Sequence, residues 1–270
     1  MIFFNGIFTD FMEKHAFDIR FAAESNIGLH RSNNEDSFVV CRPAPGSVLA
    51  CVADGIGSHA DGKLASSICC RELLERALAT GSQYGSCENF LKNSFDQINT
   101  KLFERNYREK RPRPMGCTAV SAFFFGDEIT VLNIGDSRFY EYLAGREKPL
   151  QQITVDHHLG EEHLEKLSRE YQVDKDVLRN RVLLHSLGTR QQIDPDLFTL
   201  ALKAGAKYLL CSDGLSGRVP EERIQSIMAN DQLSCRELTS ALVREALVCG
   251  GQDNVTVITV SVSGESDGIA

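Results

Sequence analysis

The chain has 270 residues, a net charge of −8 and a sequence pI near 5.4. This length accommodates one large domain or two small ones, and the 42% hydrophobic content is sufficient for a packed core. The acidic balance argues against a nucleic-acid or membrane partner. The nine cysteines form no Cys-x-x-Cys pair, which is typical of a reduced protein and predicts a cytoplasmic location.

Strand-like runs and amphipathic helices occur in blocks along the chain. Apolar residues recur at helical spacing from Ala65 to Ala77, and a second long helix must end before Pro112, because proline cannot continue the hydrogen-bond ladder. The predicted strands lie at 17–23, Ser37–Cys41, 47–53, 198–202, 208–211 and 255–262, with two or three more between 117 and 142, and the predicted helices lie at 62–79, 87–110, 221–229 and 235–249.

The order of these elements predicts an α+β fold. The strands between 117 and 142 leave no room for crossover helices, so they should pair antiparallel, with helices covering the sheets. We predict one catalytic domain over 17–262, an N-terminal extension at 1–16 and a tail at 263–270. The charged segment 156–180 is predicted to be a surface flap.

Four aspartates lie beside strand-like runs far apart in the sequence. Asp54, Asp136 and Asp213 each follow a strand, and Asp253 precedes the last one. If the strands share sheets, these carboxylates converge on one rim, where hard divalent cations would offset their repulsion. The alternative is that each aspartate is a turn residue, because Asp-Gly is a common turn signal.

Two further segments carry candidate site residues. Glu35 and Asp36 precede a predicted strand, and Arg31 beside them has a planar fork suited to phosphate. The alternative for this segment is a solvated polar turn. After Asp54, the Gly55 carbonyl could approach a metal, and His59 is either a proton donor or a polar residue at a helix start.

Taken together, these segments resemble the metal-dependent protein phosphatase family, the type 2C Ser/Thr phosphatases, and in particular its bacterial single-domain members. The resemblance runs from about Phe17 to Val262, with eight motifs in the same order. The motifs are Arg31 with Asn34-Glu35-Asp36, Val52-Ala53-Asp54-Gly55-Ile56-Gly57-Ser58-His59, Gly116-Cys117-Thr118-Ala119, Asn133-Ile134-Gly135-Asp136-Ser137-Arg138, Asp156-His157, Leu187-Gly188-Thr189, Cys211-Ser212-Asp213-Gly214-Leu215 and Gly251-Gln252-Asp253-Asn254-Val255-Thr256.

The resemblance implies a four-layer α/β/β/α sandwich of two antiparallel sheets flanked by helix pairs. It also implies two core Mn²⁺ or Mg²⁺ ions and a third, weaker one. By resemblance, Asp54 bridges the two core ions. Asp213 and Asp253 serve one core ion, Glu35 and the Gly55 carbonyl serve the other, and Asp136 holds the third ion with Asp213. Arg31 binds phosphate, while Asp36 and Asn254 orient the groups around them.

The implied activity is hydrolysis of phosphoserine and phosphothreonine by in-line attack of a hydroxide bridging the two ions. His59 or a metal-bound water would protonate the leaving group, although Ser58 replaces a glycine of the bacterial motif. The implied partners are phosphorylated proteins and a separately encoded Ser/Thr kinase, and we expect a monomer. Two alternatives are a pseudophosphatase that binds phosphoproteins with little turnover and a metal-dependent nuclease or phosphodiesterase, which the lack of a basic stripe disfavours.

Overall fold

The structure is a computed structural model that describes residues 17–57, 60–80, 85–157, 165, 168–172 and 185–264. No helix in these ranges is both long enough and apolar enough to cross a membrane. The strands are β1 (Phe17–Asn26), β2 (Ser37–Cys41), β3 (Val48–Ala53), β4 (Gly55–Ile56), β5 (Gly116–Cys117), β6 (Ala119–Phe125), β7 (Glu128–Ile134), β8 (Arg138–Tyr142), β9 (Leu150–Gln152), β10 (Asp196–Ala201), β11 (Lys207–Cys211) and β12 (Val255–Gly264). The helices are α1 (Ala60–Thr80), α2 (Cys87–Arg108), α3 (Asp213–Ser216), α4 (Glu221–Met228) and α5 (Cys235–Val248).

Two five-stranded antiparallel sheets form the centre of the fold. One has the order β1-β12-β11-β8-β9 and the other the order β10-β7-β6-β3-β2, while β4 and β5 form a separate two-stranded pair. The sheets face each other across an apolar layer, in which the Phe124 and Tyr208 ring centroids are 5.4 Å apart. Because side chains alternate along a strand, Phe123 points to the opposite face of its sheet.

Helix pairs cover the outer face of each sheet. Leu73 of α1 and Phe95 of α2 pack in one cluster with Phe123. Met228 of α4 and Leu242 of α5 belong to a second cluster, which lies on the outer face of the β11–β12 sheet. The layers therefore run α/β/β/α, and the predicted fold class is confirmed.

The structure changes some predicted boundaries. β1 extends three residues beyond the prediction and β12 runs to Gly264, because each strand pairs with the other along its whole length, from Phe17 opposite Gly264 to Asn26 opposite Val255. The short elements β4, β5, β9 and α3 were not predicted, since two to four residues carry no detectable periodicity. The predicted extension 1–16, most of the predicted flap and residues 265–270 lie outside the described residues.

Candidate active site

The predicted site residues are brought together where strand ends of the two large sheets meet. Asp54 follows β3 of one sheet, Asp213 follows β11 of the other, and Asp253 lies just before β12. The Asp54 carboxyl interacts electrostatically with Asp36, Asp213, Asp136 and Asp253. Four distant segments that each carried an aspartate thus share one rim.

Asp54 and Asp213 are the most strongly perturbed acids of this rim. Burial raises the pKa of Asp54 well above its usual range, and the charges of Asp36, Asp213 and other rim carboxylates raise it further. The pKa of Asp213 rises to about 7, first through burial and then through Asp136 and Asp253, although a hydrogen bond with Asp54 opposes this rise. Asp213 Oδ1 is buried and has no hydrogen-bond partner.

Asp36 lies deeper, at the start of β2. Its pKa rises to about 6 because it is fully buried, and hydrogen bonds from Thr256 and Ser212 only partly offset that burial. Ser212 Oγ donates to Asp36 Oδ2 at 2.7 Å and accepts from the Thr256 N–H at 3.0 Å. Asp36 Oδ1 has no hydrogen-bond partner. Asp36 is thus connected to both strands that lead to the Asp213 and Asp253 positions.

Asp136 occupies the turn between β7 and β8. Burial raises its pKa to about 6, and the nearby charge of Asp156 adds to the rise. Arg138 holds Asp156 through two nitrogens, with Nε to Oδ1 at 2.9 Å and Nη2 to Oδ2 at 2.7 Å. The Asp136 carboxylate therefore has an acid as its neighbour, while the nearby arginine is already engaged.

His157 fixes the same turn from the other side. Its Nδ1 accepts a hydrogen bond from the Gly135 N–H at 3.2 Å, so Nε2 carries the proton and donates to Asp196 Oδ2 at 3.1 Å. The Asp156-His157 motif had no role assigned from the sequence. Its position shows that it holds the Asp136 turn against the start of β10.

Glu35 approaches the rim where two glycines make room for it. A Cβ on Gly62 would lie 2.4 Å from Glu35 Oε2, and one on Gly55 would lie 2.3 Å from the Gly62 carbonyl oxygen. Any larger residue at either position would displace the Glu35 carboxylate or the Gly55 backbone. Gly62 was not predicted as a site residue, although glycine is an uncommon residue inside a helix such as α1.

Asn254 ties the Arg31–Glu35 loop to the rim. Its side-chain oxygen accepts from the Glu35 N–H at 2.8 Å, and its amide nitrogen donates to the carbonyls of Ile27 and Asn33 at 2.8 and 3.0 Å. Because Asn254 is buried and directly follows Asp253, it sets the position of the loop relative to that carboxylate.

Arg31 is a basic side chain that contacts one of the rim carboxylates directly. Its Nη2 donates to Asp253 Oδ2 at 2.6 Å, and its side chain remains 53% exposed. Burial alone would lower its pKa, but the charge and the hydrogen bond of Asp253 outweigh that effect and raise it. Arg31 is therefore charged, accessible and fixed beside the rim.

The rim fits a divalent cation in its donor chemistry. Among the described residues, no group of three or more His, Cys, Asp or Glu side chains is arranged to hold a metal ion. The converging side chains are nevertheless all hard oxygen donors, which Mg²⁺ and Mn²⁺ prefer. The buried Asp213 Oδ1 lacks the partner that such an atom normally has. His59 lies outside the described residues.

Comparison with known proteins decides the family. A family model described as Protein phosphatase 2C matches residues 30–249, which is most of the chain. The chain belongs to the protein phosphatase 2C family. This membership confirms the predicted resemblance and makes the chain a protein serine/threonine phosphatase by class.

Bacterial phosphatases are among its relatives. The serine/threonine phosphatase stp of Listeria monocytogenes is 30% identical over 240 residues, which cover 86% of this chain and 92% of that protein. The serine/threonine protein phosphatase PstP of Mycobacterium tuberculosis is 32% identical over 247 residues, covering 90% of this chain but 45% of that longer protein.

Solved structures of this phosphatase 2C family have the same fold. The catalytic domain of PstP, crystallised in complex with two manganese ions, is 30% identical, with a TM-score of 0.73 and coverage of 92% of this chain and 99% of that one. Stp1 from Staphylococcus aureus is 27% identical, with a TM-score of 0.79 and coverage of 96% and 100%.

Proposed function

We propose that this phosphatase hydrolyses phosphoserine and phosphothreonine in proteins in a metal-dependent reaction at the aspartate rim. The observation that carries the proposal is the convergence of four aspartates, Asp36, Asp54, Asp136 and Asp213, whose pKa values are raised by burial and by neighbouring carboxylates. Protein folds seldom bury several mutually repelling carboxylates side by side unless a cation neutralises them. We assign the catalytic domain to residues 17–262, and a separately encoded kinase would supply the phosphorylated substrates.

The chain's own oxygen atoms would hold the cations. When bound, Mn²⁺ or Mg²⁺ supplies Lewis acidity, which activates a water nucleophile and balances charge on the phosphoryl oxygens. Asp54 would contribute to both core ions, Asp213 and Asp253 to one of them, Glu35 and the Gly55 carbonyl to the other, and Asp136 with Asp213 to a weaker third ion.

Arg31 would bind the substrate phosphate. A guanidinium has five N–H donors in a fixed plane, so it can hold Asp253 on one edge and still present others to phosphoryl oxygens. Its exposure allows a phosphoprotein side chain to reach it. The Arg31–Asp253 contact would therefore place the phosphorus beside the carboxylates and stabilise charge on its equatorial oxygens in the transition state.

Asp36 and Asn254 would position the other groups. Asp36 Oδ1 has no protein partner, so it can accept a hydrogen bond from a water or hold a proton there. Ser212 fixes the opposite carboxylate oxygen. Asn254 keeps the Glu35 backbone next to Asp253. His59 stays our proposal for the proton donor to the leaving alkoxide.

A side-by-side assay tests this function. Purified protein would be given a phosphoserine peptide, p-nitrophenyl phosphate and a dinucleotide, each with Mn²⁺, with Mg²⁺ or after chelation. We expect both phosphomonoesters to be hydrolysed only with metal and the dinucleotide to persist. Turnover that survives exhaustive chelation would refute the metal mechanism, and tight phosphopeptide binding without turnover would identify a pseudophosphatase.

A further inference from the structure

The segment from Arg105 to Arg113 is basic in an acidic protein. It carries five basic side chains and one acid, Glu109, so its net charge is +4, or +3 together with the contacting Asp61, while the chain as a whole carries −8. It includes the last turn of α2 and the Arg-Pro-Arg stretch that follows, and the side chain of Tyr107 within it is 82% exposed. The five are Arg105, Arg108, Lys110, Arg111 and Arg113.

Three of these cations have no ion-pair partner within the described part of the chain. Arg105 and Arg111 contact Glu109, and Arg111 also contacts Asp61. Arg108, Lys110 and Arg113 are exposed and make no ion pair with any described residue. The paired residues thus fix the segment, while the unpaired ones keep their charge available to a ligand.

The segment lies at the edge of the candidate active site. It leads directly into β5, whose Gly116 pairs with Ile56 of β4, two residues after Asp54. Asp61, which Arg111 holds, precedes Gly62, the glycine that abuts the Glu35 carboxylate. A surface cleft of about 440 Å³ opens between Asp61, Glu109, Arg111, Pro112 and Arg113.

We propose that this basic segment is a docking site for an anionic stretch of the substrate protein, next to the phosphoresidue that occupies the active site. Charge complementarity supports this occupant, because the rest of the acidic surface would repel such a substrate. The anionic groups are either aspartate and glutamate side chains or a second phosphate. This inference rests on the proposed phosphatase function and names the substrate class of the same site.

The test compares phosphoserine peptides with neutral, Asp/Glu-rich or doubly phosphorylated flanks. The test variant is Arg108→Gln, Lys110→Asn and Arg113→Gln combined. Asparagine is chosen at Lys110 because that residue has φ of +48°, a conformation that asparagine tolerates. The matched control removes three exposed cations elsewhere that make no ion pair with any residue the structure describes, through Lys92→Gln, Arg236→Gln and Arg244→Gln. Lys92 lies about 24 Å from Arg108 along α2, at 1.5 Å per residue.

We expect wild type and the control variant to hydrolyse anionic-flank peptides about tenfold faster in kcat/KM than neutral ones, a preference that salt weakens. The test variant should lose this preference while p-nitrophenyl phosphate hydrolysis stays unchanged, because that substrate cannot reach the segment. The two anionic flanks identify which group the segment prefers.

Separate outcomes would overturn each proposal. If wild type hydrolyses p-nitrophenyl phosphate but shows no flank preference, or if the test and control variants lose it equally, the docking inference is wrong. If wild type with Mn²⁺ hydrolyses no phosphomonoester, the proposed function fails instead. Loss of binding to phosphatidylserine vesicles in the test variant, without any change in peptide preference, would make a membrane the occupant and refute the inference.

Discussion

Two groups of buried acids in this protein have opposite environments. Glu141, on β8 and 2% exposed, is held by Lys203 at 2.9 Å and by Arg146. Burial alone would raise its pKa, but these hydrogen bonds and charges outweigh it and lower the pKa. At the active-site rim, Asp136 and Asp213 have raised pKa values, because both are buried and their neighbours are other acids. They flank β8 and β11, which are adjacent strands of the sheet that contains Glu141.

The presence or absence of basic partners distinguishes a structural acid from a candidate metal ligand. The fold supplies basic partners for Glu141, which are enough to keep it ionised inside the protein. At the rim it supplies Arg31 at one edge and otherwise leaves the negative charges facing one another. The carboxylates of the rim therefore store repulsion that a bound divalent cation would relieve.

The largest expected effect comes from Asp213→Asn. This isosteric change should lower kcat at least a hundredfold, since residues that merely support metal ligands already cost 10–100-fold. The melting temperature of the metal-free variant should rise at neutral pH, because one repelling charge is gone. Assays on a phosphopeptide and thermal melts in EDTA would measure both, and near-normal turnover would mean that the wrong carboxylate has been assigned.

Arg31→Ala should weaken phosphate binding without weakening metal binding. We expect kcat/KM to fall by about 2–3 kcal/mol, with KM raised, because a charge-assisted contact is lost in both ground and transition states. The Mn²⁺ affinity from calorimetric titration should not fall, since Arg31 contacts Asp253 but is a cation and cannot itself be a metal ligand. Unaltered kinetics would reduce Arg31 to a surface residue.

Glu141→Gln provides the opposite case to Asp213→Asn. Losing the charged partner of Lys203 and Arg146 should lower the free energy of unfolding by about 2 kcal/mol. Activity per folded molecule should stay within about twofold of wild type, because Glu141 is not part of the site. Urea unfolding and a p-nitrophenyl phosphate assay would test this, and increased stability would show that buried pairing does not distinguish the two groups.

Among the three active-site variants, Asp136→Ala should lower turnover the least. We expect two tightly bound Mn²⁺ to be retained, while phosphopeptide turnover falls about tenfold and its metal saturation curve shifts, because a third ion binds against the repulsion of two others. If Asp136 only stabilises its turn, the metal-free protein should instead lose about 1 kcal/mol of stability with activity preserved. Titration calorimetry and kinetics would separate the two roles.

Much of this arrangement could be predicted from sequence. Strand periodicity predicted that Asp54, Asp136 and Asp213 lie at strand ends. Because the strands were expected to share sheets, these ends were also expected to meet at one rim. Side-chain contacts between segments that are far apart in the sequence could not be predicted from it. Ser212 under Asp36, Gly62 against Glu35 and the Arg138–Asp156 pair depend on side chains that meet only after the sheets have packed.

Other features were not predicted because the elements that form them are very short or because their neighbours in space are distant in sequence. The β4–β5 pair has two residues per strand, too few to show alternation, yet it fixes the Gly55 backbone next to Cys117. The basic segment after α2 is evident as a charge run in the sequence. Its proximity to the site became apparent only through that pairing and the Arg111–Asp61 contact.

The most direct measurement is the melting temperature of the metal-free protein as a function of pH, with Asp213→Asn as reference. Asp36 and Asp136 have pKa values of about 6 and Asp213 of about 7, all above the usual 3.8. The folded state therefore retains protons that the unfolded chain releases, so this stability is present at low pH and is lost as pH rises through 6–7.

We predict that between about pH 5.5 and 7.5 the wild-type melting temperature in EDTA falls relative to that of Asp213→Asn. Adding Mn²⁺ at the higher pH should restore it for wild type far more than for the variant. Parallel pH profiles for the two proteins, together with no response to Mn²⁺, would contradict the claim that the rim stores carboxylate repulsion for a metal.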